Sequence, residues 1–177
     1  MNTLHPPPVL LVLFPFGFAQ AQTSLPLRIL PACHALGGDT KLTQWTNRLA
    51  LKLPPKDANY QRGKVDVDYV RDVLQRKSTK AFMSLWSGPT AFGPEPPRNL
   101  LKDSPSYSKR DFHDANGKTF GMESFGTTKE GKHWRHTWIA LSGMDGITYT
   151  VDSADDATFF DRIIDSLCIL APVKNHD

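Results

Sequence analysis

Hydrophobic residues recur at every second position in the first half of the chain, which is the period of a half-buried strand. Leucine takes alternate positions from 49 to 53, and two prolines directly after it end that strand. Valine and tyrosine alternate with aspartate from 65 to 70, which predicts a second strand, although a helix reaching Leu74 is an alternative. The apolar and aromatic residues 81–86 predict a third strand.

The second half of the chain carries the pattern of an antiparallel meander. Asn116 and Gly117 are a dipeptide typical of tight hairpin turns, and further turns are expected at 127–132 and 143–146. The strands between these turns are predicted at residues 107–113, 118–125, 133–141 and 147–151.

An amphipathic helix is predicted to close the chain. Ser153 can cap it, and Asp155 and Asp156 suit the positive end of the helix dipole. Residues at helical spacing form its apolar face, namely Ala157, Phe160, Ile164, Leu167 and Cys168, with Phe159 and Ile163 widening that face. Pro172 is expected to end the helix.

Together these elements predict an α+β fold, an antiparallel β-sheet meander packed by a C-terminal amphipathic helix. Four segments follow from this interpretation: a signal peptide at 1–21, a mostly loop-like N-terminal extension at 22–45, a single α+β domain at 46–172 and a tail at 173–177. The length left after the leader is typical of one domain with a core of its own.

The N-terminus has the features of an export signal. An uncharged apolar run from Val9 to Phe18 is too short to span a bilayer and ends in Ala19-Gln20-Ala21, a small-x-small cleavage pattern. We therefore expect export to the periplasm or the extracellular space, with cleavage after Ala21. The alternative is a cytoplasmic protein with an apolar N-terminus, because the residues before the run contain neither lysine nor arginine.

The two cysteines are the second sign of an oxidising compartment. In an exported protein, the even pair Cys33 and Cys168 predicts a disulfide that joins the start of the mature chain to its last helix. Two free cysteines are one alternative, and a lipid anchor at Cys33 is another, because residues 30–33 loosely match a lipobox. The spacing of the pair does not fit a zinc site.

Composition and motifs exclude several functions. The net charge is only +3, and no lysine or arginine cluster gathers it, so nucleic acid is not expected as a partner. No membrane span is expected either, because the apolar run at 9–18 is too short. The sequence contains no nucleophile elbow, P-loop, dinucleotide fingerprint or His-Glu-x-x-His, and no cofactor is predicted. His133 and His136 point to opposite sides of a strand, so we do not expect them to share a metal ion.

Strand pairing predicts one unusual polar cluster. A tight hairpin sets Arg110 opposite Glu123, and a symmetric turn at 127–132 then sets His136 opposite Glu123. The same face is predicted to hold large apolar residues: Phe112, Phe125, Trp134, Trp138, Ile147, Tyr149 and Val151. Three interpretations stay open, namely an internal salt bridge that fixes the register, a pocket for an acidic or polar small ligand, and a one-residue slip that exchanges the faces.

The proline-rich stretch 87–105 is predicted to be a long ordered loop with one helical turn at 98–102. Trp86 and Phe92 lie beside or within it. Together with Pro94, Pro96 and Pro97, these aromatic residues predict either a rigid interaction patch or a plug at the end of the sheet.

Four pieces of the sequence carry a family resemblance: residues 85–89 (Leu-Trp-Ser-Gly-Pro), Gly121-x-Glu123, Gly131-x-x-Trp134-Arg135 and the helix at 159–168. Over about residues 48–170 the chain resembles a family of exported bacterial proteins and, more distantly, the PsbP-like fold. The resemblance implies a non-enzymatic binding or assembly factor.

We therefore expect an exported, non-catalytic binding or accessory domain that takes an envelope protein or a small polar ligand. The alternative is a small envelope hydrolase or metal-dependent enzyme that uses Arg110, Glu123 and His136.

Overall fold

The computed structural model describes residues 21–33, 42–54, 56–63, 68–89, 93–141 and 143–171. In chain order the strands are β1 (Ala21–Ser24), β2 (Arg28–Ile29), β3 (Leu42–Gln44), β4 (Leu49–Lys52), β5 (Ala58–Gln61), β6 (Val70–Arg76), β7 (Phe82–Ser87), β8 (Ser106–His113), β9 (Thr119–Thr127), β10 (His133–Ile139), β11 (Asp145–Val151) and β12 (Cys168–Ile169). The helices are α1 (Arg98–Asp103) and α2 (Ala154–Asp165).

Two sheets form the fold. The larger has the strand order β1-β8-β9-β10-β11-β7-β6-β5, and β2 also pairs with β8. β1 and β2 run parallel to β8, and the other neighbours in this sheet are antiparallel. The smaller sheet has the order β12-β4-β3. The α+β class and the meander from β8 to β11 are confirmed.

The hydrophobic core lies between one face of the larger sheet and a layer made of α2 and the smaller sheet. Its largest side chains are Phe112, Phe160, Leu49, Leu51, Leu74, Met83, Leu85, Ile139, Ile147, Ile164 and Leu167. We call this face of the larger sheet the inner face. The other face is covered in part by α1, where the Trp134 indole donates a hydrogen bond to Ser104 Oγ at 2.8 Å.

The first half of the chain differs most from the sequence prediction. The second strand is β6, seven residues from Val70, and the helix alternative through Leu74 is wrong. The alternation of inner and outer side chains continues beyond Tyr69 and buries Leu74, whereas residues 64–67 lie outside the described part. Four short strands of two to four residues, β1, β2, β3 and β5, were not predicted from the sequence.

The closing helix begins as predicted and ends earlier. Ser153 caps it, since its Oγ accepts a hydrogen bond from the Asp156 amide at 3.1 Å. The helix ends at Asp165, and Cys168 belongs to strand β12 instead of the helix. The cause is the pairing of Cys168 with Ala50, which pulls the chain into the smaller sheet. Pro172, the predicted terminator, lies outside the described residues.

The predicted disulfide between Cys33 and Cys168 is confirmed, with the two Cα atoms 4.9 Å apart. It fixes the segment after β2 to strand β12, across 135 residues of sequence. Because both sulfur atoms are used in the bond, Cys33 cannot also carry a thioether-linked lipid.

The first two of the three hairpins in the meander, β8–β9 and β9–β10, test the predicted register. The first is confirmed, because Arg110 pairs with Glu123 and Phe112 with Gly121. The second is wrong by one residue. Glu123 pairs with Thr137, and His136 pairs with Ser124 instead.

The connection between β9 and β10 explains this slip. It contains five residues, 128–132, because Thr127 pairs with His133. The Thr128 amide bonds to the Lys132 carbonyl at 2.9 Å, and Gly131 has a φ of 83°, a left-handed conformation that favours glycine. The symmetric turn expected from the sequence has an even number of residues. The prediction therefore assigned each side chain of β10 to the wrong face of the sheet. In the structure, Trp134 and Trp138 lie on the outer face.

Candidate functional site

Glu123 is the centre of the polar cluster on the inner face. It lies in the middle of β9, and its side chain is fully shielded from solvent. The Nε of Arg110 on β8 donates a hydrogen bond to Glu123 Oε1. Arg135 on β10 donates from Nε at 2.8 Å and from Nη2 at 2.5 Å to Glu123 Oε2. The predicted Arg110–Glu123 pair is therefore confirmed, and Arg135 is a second partner.

Three more charged groups complete the cluster. Arg28 on β2 lies 3.8 Å from Glu123 and 3.2 Å from Asp165. Arg135 also binds the two acids of α2, reaching Asp161 at 2.8 Å and Asp165 at 3.1 Å. We call Arg28, Arg110, Glu123, Arg135, Asp161 and Asp165 the charged cluster. Its three cations balance its three carboxylates.

Aromatic rings support the arginines of the charged cluster. The guanidinium carbons of Arg110 and Arg135 lie 5.9 Å and 5.6 Å from the centre of the Phe125 ring. The guanidinium of Arg28 lies 5.4 Å from the Phe112 ring. Each distance is within the range of cation–π attraction, so the rings hold the arginines in place while excluding water.

Burial and pairing act in opposite directions on these groups. Burial pulls the pKa of Arg135 down, but the charge of Glu123 and the hydrogen bond to Asp161 outweigh it and leave that pKa raised. For Arg28 burial prevails over the attraction of Glu123 and Asp165, so its pKa is lowered. Burial raises the pKa of Tyr149, helped by Asp161, which accepts the Tyr149 hydroxyl at 2.7 Å.

Such a cluster has little capacity for acid–base catalysis. Both oxygens of Glu123 are already occupied by arginine donors, and guanidinium groups stay protonated at any pH that an enzyme uses. A catalytic carboxylate needs access to its substrate, whereas Glu123 has no contact with solvent. The arrangement can, however, hold α2 against the sheet, because Asp161 and Asp165 anchor the helix to β2, β8 and β10.

His136 does not belong to the charged cluster, contrary to the predicted trio. The odd-length turn before β10 puts it on the outer face, where its Nε2 lies 2.9 Å from the Gly93 carbonyl oxygen. Burial lowers the pKa of His136, although the Gly93 bond and the charge of Glu95 partly oppose this shift. His136 therefore secures the proline-rich loop and does not share a site with Arg110 and Glu123.

Metal binding finds no support in the described part of the chain. His133 lies on the inner face, where its Nδ1 is 3.3 Å from Thr127 Oγ1, and His136 points the other way. No group of three or more histidine, cysteine or acidic side chains there is arranged to hold a metal ion.

The aromatic candidates near the proline-rich loop are only partly described. Trp86 lies in β7, with its ring centre 5.5 Å from that of Tyr69 and 5.0 Å from the Arg71 guanidinium. Phe92 lies outside the described residues. The predicted helical turn is α1, and Pro97 is its N-cap residue. The interaction patch stays a prediction.

The described part of the chain also has open clefts, and one of them reaches the charged cluster. Arg110 lines a cleft of about 450 Å³ together with Gln22, Lys109 and His113. A second cleft, of about 580 Å³, lies beside Phe159 and is rich in basic residues, namely Lys56, Arg76, Lys77 and Arg162. Both sizes fall within the range of small-ligand sites.

Comparisons with family models, with curated proteins and with solved structures found no match to this chain. In the ranges that the structure describes, no helix is both long and apolar enough to cross a membrane.

Sequence reasoning missed four members of the charged cluster. Arg28 was placed in a loop-like extension, and Arg135 was put on the wrong face by the register error. Asp161 and Asp165 carried a usable signal, because acids four residues apart share one face of a helix. Their pairing with β10 is a long-range contact that no local pattern reports.

Proposed function

We propose that this chain is an exported, non-catalytic binding or accessory domain. The observation that carries the proposal is the closed state of Glu123, whose two oxygens are taken by arginines and shielded from water. Glu123 thus acts in folding, which leaves the open clefts, including the one that Arg110 lines, for recognition. The hydrolase alternative depended on His136 beside Glu123, and these residues lie on opposite faces.

Export is supported by two independent features. The leader ending in Ala19-Gln20-Ala21 fits a cleaved signal peptide, although these residues, apart from Ala21, lie outside the described part. The Cys33–Cys168 disulfide fits an oxidising compartment such as the periplasm or the extracellular space.

We also propose a distant relationship to the PsbP-like fold. Its support is the order of elements, an antiparallel meander followed by an amphipathic helix that packs on the sheet. The resemblance agrees with a binding or assembly role, but fold analogy by itself does not fix a function.

Capture of partners tests the binding function directly. The mature protein, beginning at Gln22, is immobilised and exposed to an envelope extract of the cells that make it, and to a panel of ester, amide and glycoside substrates. We expect a saturable partner or ligand and no turnover of any substrate.

The matched variant is Glu123→Gln, tested at a temperature at which it remains folded. A binding domain whose charged cluster is structural keeps its partner in this variant. If the wild-type protein instead hydrolyses a substrate, and the folded variant has lost that activity, the charged cluster is a working site and the proposal is wrong.

A further inference from the structure

A third cavity, of about 310 Å³, lies where the smaller sheet meets one end of the larger one. Trp45 and Asn47, from the turn between β3 and β4, form one wall. Ser87, at the end of β7, and Asp145, at the start of β11, also line the cavity, as does the exposed Arg62. The volume suits a small metabolite.

Two residues that line this cavity each have a buried polar atom that the fold leaves without a partner among the described residues. Asp145 is 3% exposed, and its Oδ2 has no hydrogen-bond partner among the described residues. Trp45 is 4% exposed, and its indole Nε1 likewise has no partner within the described ranges. Buried polar atoms are nearly always paired in native proteins, so an acceptor and a donor left over at one cavity require an explanation.

Asp72 provides an internal comparison, because it is as deeply buried as Asp145 and lies on the same inner face. Its Oδ1 accepts the Gly63 amide at 2.8 Å, and its Oδ2 accepts the Tyr60 hydroxyl. The fold therefore satisfies a buried carboxylate where the role is structural. The Oδ2 of Asp145 lacks such a partner among the described residues, which points to a group from outside the chain.

The charge around Asp145 indicates what that group is. Burial raises the pKa of Asp145 to about 6, and no charged neighbour among the described residues contributes to this shift. The exposed Arg62 is the other titratable group in the cavity lining. Asp72, on β6 at the far side of β7, is engaged with Tyr60. Near neutral pH the cavity thus holds an ionised carboxylate whose pKa the charge of the exposed Arg62 does not lower.

We propose that this cavity binds a small primary amine that also carries a hydrogen-bond acceptor. The ammonium group bonds to the Asp145 carboxylate, which can present either oxygen by rotation about its terminal torsion. The acceptor group of the ligand receives the Trp45 indole N–H. This proposal assigns a site and a ligand class to the binding function proposed above, and it therefore rests on that function.

Three probes of equal chain length test separately the ammonium contact with Asp145 and the acceptor contact with Trp45. 4-Aminobutyrate carries both groups, butylamine carries the ammonium alone, and butyrate carries the carboxylate alone. Titration at about pH 7.5, followed by amide and indole NMR shifts, is expected to show binding in the order 4-aminobutyrate, butylamine, butyrate, with butyrate at least about tenfold weaker than 4-aminobutyrate. The shift of the Trp45 indole resonance should follow 4-aminobutyrate more than butylamine.

Asp145→Asn is the decisive variant, because it keeps the size of the side chain and removes the charge. It should weaken 4-aminobutyrate binding at least about tenfold, whereas the surface variant Glu130→Gln should not change it. Wild-type affinity should also fall about tenfold between pH 7.5 and pH 5 as Asp145 becomes protonated, and the Asn variant should lack this dependence. Unchanged near-ultraviolet spectra establish that the variants are folded.

Any of three results would overturn the proposal and leave water as the occupant of the cavity. These are equal binding of butyrate and butylamine, equal affinities of wild type and Asp145→Asn for 4-aminobutyrate, and no NMR shift with any of the three probes. None of these results bears on partner capture by the mature protein, so the site can fail while the proposed binding function stands.

Discussion

Glutamine in place of Glu123 keeps the size of the side chain and removes the charge that Arg28, Arg110 and Arg135 share. The amide retains an acceptor oxygen but turns the second position into a donor, which faces a guanidinium instead of bonding to it. The variant therefore leaves buried cations without their central counter-charge.

The expected cost follows from the burial of the group. Breaking a buried ion pair by removing one partner costs about 3–5 kcal/mol, because the remaining charge stays desolvated. Asp161 and Asp165 still bind Arg135, whereas Arg110 loses its nearest carboxylate, which favours the middle of that range. Because proteins of this size are stable by only about 5–15 kcal/mol, the loss is a large part of the total.

Urea unfolding followed by tryptophan fluorescence measures the effect, with the disulfide left intact. A cost of about 4 kcal/mol corresponds to a fall of roughly 2 M in the urea midpoint. Glu130→Gln is the matched control, because the Glu130–Lys132 pair is solvent-exposed at 3.6 Å. An exposed pair contributes at most about 1 kcal/mol, so the control should hardly move the midpoint.

The double variant Arg110→Leu with Glu123→Leu shows whether the cost of Glu123→Gln comes from the unpaired charge of Arg110 or from altered packing. It removes the stranded charge of Arg110 together with that of Glu123 and should recover part of the stability. If Glu123→Gln unfolds at the same urea concentration as Glu130→Gln, the charged cluster is not a structural element and the reasoning is refuted.

Three further outcomes are expected. Thiol counting on the unfolded, unreduced protein should find neither Cys33 nor Cys168 free, and reduction should lower the free energy of unfolding by about 4–5 kcal/mol in the chain-entropy account; two free thiols would contradict this. N-terminal sequencing of the exported protein should begin directly after Ala21, and an intact leader on cytosolic protein would argue against export. Burial raises the pKa of Asp145 to about 6, so the folded state binds this proton more tightly than the unfolded state, and that stabilisation is lost as the pH rises through about 6. Ligand-free Asp145→Asn should therefore be about 2 kcal/mol more stable than wild type near pH 8 and equal to it near pH 4. A gain in stability that does not depend on pH would contradict the raised pKa of Asp145.

Local signals predicted the meander and part of its register. Asn116 and Gly117 specify a tight turn, and Gly117 has a φ of 79°, so the pairing of Arg110 with Glu123 followed from the sequence. The helix cap at Ser153 was also predictable, because it depends on two residues only three positions apart in the sequence.

The second hairpin shows where local signals fail. Residues 127–132 are polar throughout, and their composition does not reveal whether the connecting loop has an even or an odd number of residues. One residue of difference placed His136 in the cluster and left out Arg135. Gly131 was the available sign, because a glycine late in a hairpin loop often takes the left-handed conformation.

Long-range pairing accounts for the remaining misses. Arg28 enters the charged cluster because β2 runs parallel to β8, at residues more than eighty positions away along the chain. The Asp145 cavity forms where a turn of the smaller sheet meets strand ends of the larger one. A sequence pattern reports which side chains are polar, but not which buried polar atoms the finished fold leaves without partners.

Exchange of the arginine Nε–H protons with water tests the closed, structural nature of the charged cluster most directly. Arg135 donates its Nε–H to Glu123 inside the domain, whereas Arg162 on α2 is exposed. In protein labelled with ¹⁵N at arginine, the Arg135 Nε–H signal should exchange at least about tenfold more slowly than that of Arg162 near pH 8. Equal exchange rates would mean that water reaches Glu123 freely, and the charged cluster would then have to be treated as an open site.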